Sequence, residues 1–143
     1  MQLYQKRASL LLGFSFCFAV LAFTYQTDRT KLLIRKWKLI DAEFPEIEAE
    51  LLHFSPSQRK AHKQELSRTW VGSFIEFRKD NTYTAVILAD TAQGIWHLST
   101  DQSQLLIKNQ KDSIERAMPI LELSKNRLIL IGTQQQKMIW QPF

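Results

Sequence analysis

SFIEFRKDNTYTAVILADTAQGIWHLS, residues 73–99, carries the pattern that decides the fold. Apolar and polar residues alternate over residues 73–78, 82–89 and 94–99. Period two is the spacing of a strand with one buried face, because successive side chains leave opposite sides of the pleat. Lys79-Asp80-Asn81 and Asp90-Thr91-Ala92-Gln93 separate the runs and supply turn-forming residues. Connections this short cannot hold a crossover helix, so neighbouring strands pair as antiparallel hairpins.

The same rhythm continues toward the C-terminus, with runs at 104–109, 114–123, 127–133 and 137–141 separated by polar clusters. Met118-Pro119 interrupts one of them, and because proline cannot donate to a ladder, a bulge or a sheet edge is expected there. Upstream, residues 30–41 (TKLLIRKWKLID) alternate from Leu33 onward, with Leu33, Trp37 and Leu39 on one face and Lys36 and Lys38 on the other. Arg35 falls on the apolar face of that first strand. With it the strands number eight, which an antiparallel up-and-down order can close into a barrel with no free edge. Ile75, Phe77, Tyr83, Trp96, Leu98, Leu121, Leu123, Leu128, Leu130, Met138 and Trp140 are the expected inward residues. Residues 82–88 and 128–131 are apolar on both faces, so alternation does not set their register.

Between the first and second strands, residues 44–70 change character, giving a helical insertion at about 45–71. Pro45 opens an acid-rich stretch, Glu46, Glu48 and Glu50, which suits the positive end of a helix dipole. Ser55-Pro56-Ser57-Gln58 reads as a second helix start: Ser55 at the N-cap, Pro56 in the first turn, Gln58 closing a capping box. Gly72 suits the end of that helix. Its apolar stripe, Ala61, Leu66 and Trp70, is thin, so the helix is expected on a surface or across an opening. A lid would turn Trp70 and Leu66 toward the barrel interior.

The N-terminus is of another kind. Lys6 and Arg7 precede sixteen uncharged residues, 8–23 (ASLLLGFSFCFAVLAF). A basic flank, a short apolar run and a small residue at its end describe an export signal, with Ala22 as a cleavage point. Tyr25 sits where an uncleaved anchor would meet the membrane interface. Residues 1–25 are therefore a signal peptide or a signal-anchor transmembrane helix, and both alternatives stay open. In either case residues 26–143 cross to a periplasmic or cell-envelope location. Cys17 follows Phe16 inside the apolar run, so it reads as a small apolar residue rather than a lipid-attachment site.

Composition agrees with one small domain. The chain has 143 residues, 23% of them charged, four glycines and four prolines, which excludes collagen-like and low-complexity classes. One cysteine excludes an internal disulfide framework. The net charge of +5 is not gathered into a block, so nucleic acid is not expected as a partner. Arg29, Lys31, Arg35, Lys36 and Lys38, and Arg59, Lys60, Lys63 and Arg68 on the second helix, read as solvated faces or as attraction to anionic headgroups.

Catalytic motifs are missing: no HExxH, P-loop, GxGxxG or GxSxG occurs. Glu50 and His53 have E-x-x-H spacing, but di-iron chemistry needs that motif on two helices with further carboxylates, and the chain has one. No enzyme activity, cofactor or metal site is expected.

Phe77, Asp80 and Tyr83 in the first hairpin, Gly94 and Trp96 in the next strand, and Leu123, Ser124 and Leu128 around a late turn, together with the Trp37 strand, resemble bacterial lipocalin-like domains over about residues 31–143. Arg35 stands where that group has a glycine before the first-strand tryptophan, and Asn81 where a turn glycine is common. The resemblance implies an exported barrel that binds a hydrophobic or amphipathic small molecule or a partner, with no catalytic residues. Ligand-cavity candidates are Trp37, Trp70, Phe77, Tyr83, Trp96, Leu98 and Trp140. Those aromatic residues either line a cavity or fill a small barrel as core. The first alternative is a membrane-associated binding module. The second is a cell-envelope protein–protein interaction domain with a filled barrel and no ligand. Reporter fusions placed after residue 60 are expected to be active outside the cytoplasm and silent inside, and the reverse pattern overturns the localisation.

Overall fold

Aspartate side chains shape the turns. Asp80, Asp101 and Asp112 each accept a hydrogen bond from the backbone N–H two residues on, at 3.0 to 3.1 Å. This local ring substitutes for a backbone turn. The hydroxyl of Ser99 and the N–H and hydroxyl of Ser103 also donate to Asp101 and hold its carboxyl down to about 2. Asn81 takes φ 62°, a conformation asparagine tolerates, so the turn needs no glycine.

A computed structural model describes residues 29–143, and the apolar N-terminal segment with its cleavage point lies outside the described residues. Residues Leu32–Phe143 form one compact unit. Its strands are β1 (Lys36–Glu43), β2 (Phe74–Phe77), β3 (Thr82–Ile87), β4 (Asp90–Leu98), β5 (Gln104–Asn109), β6 (Glu115–Leu123), β7 (Leu128–Ile131) and β8 (Lys137–Pro142). They form a closed antiparallel barrel in sequence order, β1 pairing with both β2 and β8. Two helices, α1 (Pro45–Leu51) and α2 (Pro56–Thr69), lie between β1 and β2. The expected capping box is present: Ser55 accepts from the Gln58 N–H while the Gln58 side chain accepts from the Ser55 N–H.

Large side chains concentrate in the barrel interior. Trp37, Trp96, Trp140, Phe77, Leu105, Leu128 and Leu130 are almost wholly removed from water and join one cluster. Each buried aromatic withdraws on the order of 150–250 Å², about 4–6 kcal/mol at ~25 cal/mol per Å². Phe77 meets Trp96 edge to face at 5.3 Å. The Trp37 N–H donates to the Leu33 carbonyl at 3.0 Å and the Trp96 N–H to the Arg78 carbonyl at 3.3 Å, so both rings enter the core with their polar atom paired.

Four expectations are corrected. The first strand does not begin at residue 30: residues 29–33 are helical and β1 starts at Lys36. Leu33 is buried all the same, held in that turn by the Trp37 indole. Arg35 is not an inward residue of a strand. Its guanidinium lies 5.4 Å from the Trp37 ring centroid and donates to the Lys125 carbonyl at 2.9 Å. The substitution for glycine thus ties the barrel end to the β6–β7 turn.

The third correction concerns β4, which begins at Asp90 rather than Gly94. The hairpin turn falls on Leu88-Ala89 at φ 51° and 73°. A two-residue hairpin of type I′ requires positive φ at both positions, and neither residue announces it. Last, Leu121 points outward and is 59% exposed, because the β6–β7 register shifts between Ile120 and Glu122. Leu123 remains packed on the core. The bulge expected near Pro119 is this one, and the closed barrel leaves no edge there.

Gly94 makes β4 fit. A Cβ there would stand 2.0 Å from the Lys108 carbonyl oxygen and 3.0 Å from the Tyr83 ring. In urea unfolding, Gly94→Ala is expected to cost about 1–3 kcal/mol by overpacking and Trp96→Ala roughly 3–5 kcal/mol. Lys108→Ala, on the polar face of β5, should stay under about 0.5 kcal/mol. Equal effects at Trp96 and Lys108 would contradict the register.

Candidate functional site

The two ends of the barrel are built differently. Strand direction places the α1–α2 insertion and the β3–β4, β5–β6 and β7–β8 turns at one end, called here the helical end. The other end holds residues 32–35 and the β2–β3, β4–β5 and β6–β7 turns. Trp37, Phe77 and Trp96 fill that second end beneath Leu33. Toward the helical end the inward positions of β3 and β4 shrink. Tyr83 is opposite Gly94, and Ala85 is opposite Ala92.

That change in size opens a pocket of about 390 Å³ at the helical end. Ala85, Ile87, Ala92 and Asn109 line its wall from inward register positions, and Asp90 and Lys111 stand on the rim. A cavity of this size is within the range that small-molecule sites occupy. Arg116 occupies the position of β6 opposite the partly buried Ile107 and is ion-paired with Asp112. The pair raises the Arg116 guanidinium and lowers the Asp112 carboxyl, each chiefly through their hydrogen bond.

A larger groove, about 490 Å³, lies on the barrel wall over β3, β4 and β5. Arg78, Thr82, Thr84, Gln93 and Lys108 line it, mostly from outward register positions. Arg78 is committed there to Glu76 and Thr84, both at 2.8 Å. The groove lies on the outer wall of the barrel and, like the smaller pocket, is open to solvent.

The ligand-cavity candidates fall into place unevenly. Trp37, Trp70, Phe77, Tyr83, Trp96 and Trp140 belong to one buried cluster, with Leu98 packed against it. Of these seven, only Tyr83 lines either of the two cavities just described. Trp70 caps α2, is buried, and stacks on Phe44 with centroids 6.1 Å apart. Leu66 is half-buried, and α2 itself contains no buried residue. The helix therefore runs along the surface while the tryptophan at its end reaches the core. The indole N–H groups of Trp70 and Trp140 are buried and meet no acceptor among the described residues.

Sequence reading missed Ala85, Ile87, Ala92 and Asn109. The aromatics drew attention, but a cavity is marked by the small residues opposite them. The signal available was the alternation Tyr83, Ala85, Ile87 with Ala92 and Gly94. Among the described residues no group of His, Cys, Asp and Glu is placed to hold a metal ion, and no helix is long and apolar enough to cross a membrane.

Known structures share the architecture. A DUF4847 family protein from Bacteroides vulgatus superposes with TM-score 0.53 at 14% identity, covering 77% of this chain and 93% of that one. A lipocalin-like protein from Bacteroides uniformis gives 0.51 at 18%, covering 78% and 99%. The fold is lipocalin-like. An uncharacterized protein from Bacteroides eggerthii gives 0.52 at 13%, covering 78% and 99%. At these identities the likeness is one of fold. The chain matches no protein-family model and no curated relative.

Burial pushes the Tyr83 phenol above its ordinary value, with the Arg116 charge pulling it back and Asp112 adding to the rise. A folded-state value above the unfolded one means that its stabilisation is complete below about pH 10. It is lost as pH rises through the folded value. Alkaline unfolding monitored by circular dichroism should start above pH 10 in the wild type, and Tyr83→Phe should flatten that decline.

Proposed function

We propose that this chain is an exported lipocalin-like binding module for a hydrophobic or amphipathic small molecule, held in the helical-end pocket. The observation that carries the reading is the pair of small inward residues Ala85 and Ala92, opposite each other on β3 and β4 and lining a pocket of about 390 Å³. An apolar chain laid on Ala85, Ile87 and Ala92 gains about 0.8 kcal/mol per buried CH₂. A polar head then stays near Asn109, with Asp90 and Lys111 on the rim. No catalytic role, cofactor or nucleic-acid partner belongs to this reading. Export and membrane association rest on the apolar segment behind Lys6 and Arg7.

A second reading, a cell-envelope interaction domain, is favoured by one observation: the aromatic end of the barrel is filled. Titration with an environment-sensitive fatty-acid probe separates the two. Saturable binding by the wild-type chain is expected, weakened at least about tenfold in Ala92→Phe, whose ring occupies the pocket, with the melting temperature kept within a few degrees. Absence of saturable binding by the wild type overturns the first reading and leaves the second.

A further inference from the structure

Eight large apolar residues are exposed among the described residues, and five of them, Leu52, Phe54, Val71, Leu88 and Ile114, belong to the helical end. They come from three separate segments: the helical insertion, the β3–β4 turn and the β5–β6 connection. Val71 is 82% exposed and Leu52 72%. Two of them stand against local preference. Leu88 occupies a turn position at φ 51°, where asparagine or glycine relieves the backbone. Val71 sits in the turn between Trp70 and Gly72, where a polar residue would be at no disadvantage. At the opposite end the turn residues are polar: Lys79-Asp80-Asn81, Thr100 to Ser103, and Ser124-Lys125-Asn126.

Helix α2 links Phe54 to Val71 along the chain. It spans fourteen residues and buries none of them, being secured by its capping box, by Trp70 at its end, and by Lys63 on Glu48 at 2.8 Å. A helix of that length draws most of its stability from a packed face in ordinary proteins, and in α2 only Arg59, Leu66 and Ser67 are even half-buried. It carries Arg59, Lys60, Lys63 and Arg68 against Glu65 alone, a balance of 4 − 1 = +3. Glu46, Glu48 and Glu50 lie on α1, and Glu48 takes up Lys63, so Arg59, Lys60 and Arg68 are the α2 cations with no ion pair among the described residues. Leu52 and Phe54 precede α2 and Val71 follows it, so an uncovered cationic helix has apolar anchors at both ends.

We infer that the helical end docks on the interface of an anionic bilayer, with Leu52, Phe54, Val71, Leu88 and Ile114 entering the acyl boundary and the α2 cations meeting phosphate groups. Charge complementarity selects this occupant: cations near an anionic surface attract it, and separated apolar tips penetrate a fluid layer more readily than they match a rigid protein face. The inference stands apart from the ligand pocket, since it needs only the outer surface of that end.

The test uses the full chain with Cys17→Ala, so that the N-terminal segment is present in every sample. An environment-sensitive dye is attached at Leu88→Cys, at Ile114→Cys or, at the opposite end, at Ser103→Cys, and mixed with phosphatidylglycerol-containing vesicles bearing acyl-chain quenchers. Blue-shifted, quenched emission is expected from 88 and 114, with 103 remaining water-like. Arg59→Glu with Lys60→Glu should weaken the signal at 88 at least about fivefold, as should vesicles of phosphatidylcholine alone, with far-UV circular dichroism unchanged. Three results would overturn the inference. Water-like emission at 88 and 114 means that the N-terminal segment alone brings the chain to the membrane. Equal quenching at 103 means no preferred end. A dimer without vesicles that Leu88→Ser abolishes assigns the patch to a second copy.

Discussion

The pairing of β1 with β8, from Trp37 opposite Pro142 to Glu43 opposite Lys137, leaves the sheet no free edge. Closure makes the alternation of each strand strict, because one side of every residue now faces a cylinder of limited volume. The bulge between Leu39 and Asp41 and the one between Ile120 and Glu122 absorb the curvature that closure demands. It also explains how Pro119 is tolerated inside a fully paired sheet. The neighbouring Ile120 N–H donates to the Ser103 carbonyl at 2.8 Å, so the ladder resumes one residue beyond the missing donor.

Given that cylinder, side-chain size along the axis decides what the interior can do. Tryptophan and phenylalanine at the Trp37 end exclude water and bring the Leu33 turn beneath them. Alanines toward the helical end, Ala85 and Ala92, leave space along the β3–β4 wall. One strand pair carries this gradient almost alone. β3 runs from Tyr83 through Ala85 to Ile87, and β4 answers with Gly94 and Ala92. The same end bears the insertion and the apolar loop tips, so pocket and exposed patch share one side of the molecule.

The candidate pocket was only partly legible beforehand. Aromatic residues were assigned inward correctly, but aromatic content does not distinguish lining from filling. That distinction depends on which residues stand opposite each other across the barrel, and this depends on register. The displacement of the β3–β4 turn from 90–93 to Leu88-Ala89 lengthened β4 and brought Ala92 into the wall. No turn-forming residue marked it, because leucine and alanine accept positive φ only when the flanking strands impose it.

Local rules in the sequence alone determined the strand rhythm, the hairpin connectivity, the capping box at Ser55 and the identity of most of the core, since each depends on residues within a few positions of one another. Closure of the barrel, the outward turn of Leu121, the docking of Arg35 on Trp37 and Lys125, and the absence of any buried residue in α2 were decided by the tertiary structure. These join groups distant in the chain: Arg35 and Lys125 lie ninety residues apart. Their geometry follows from how eight twisted strands share one interior, a constraint that no single stretch of sequence contains.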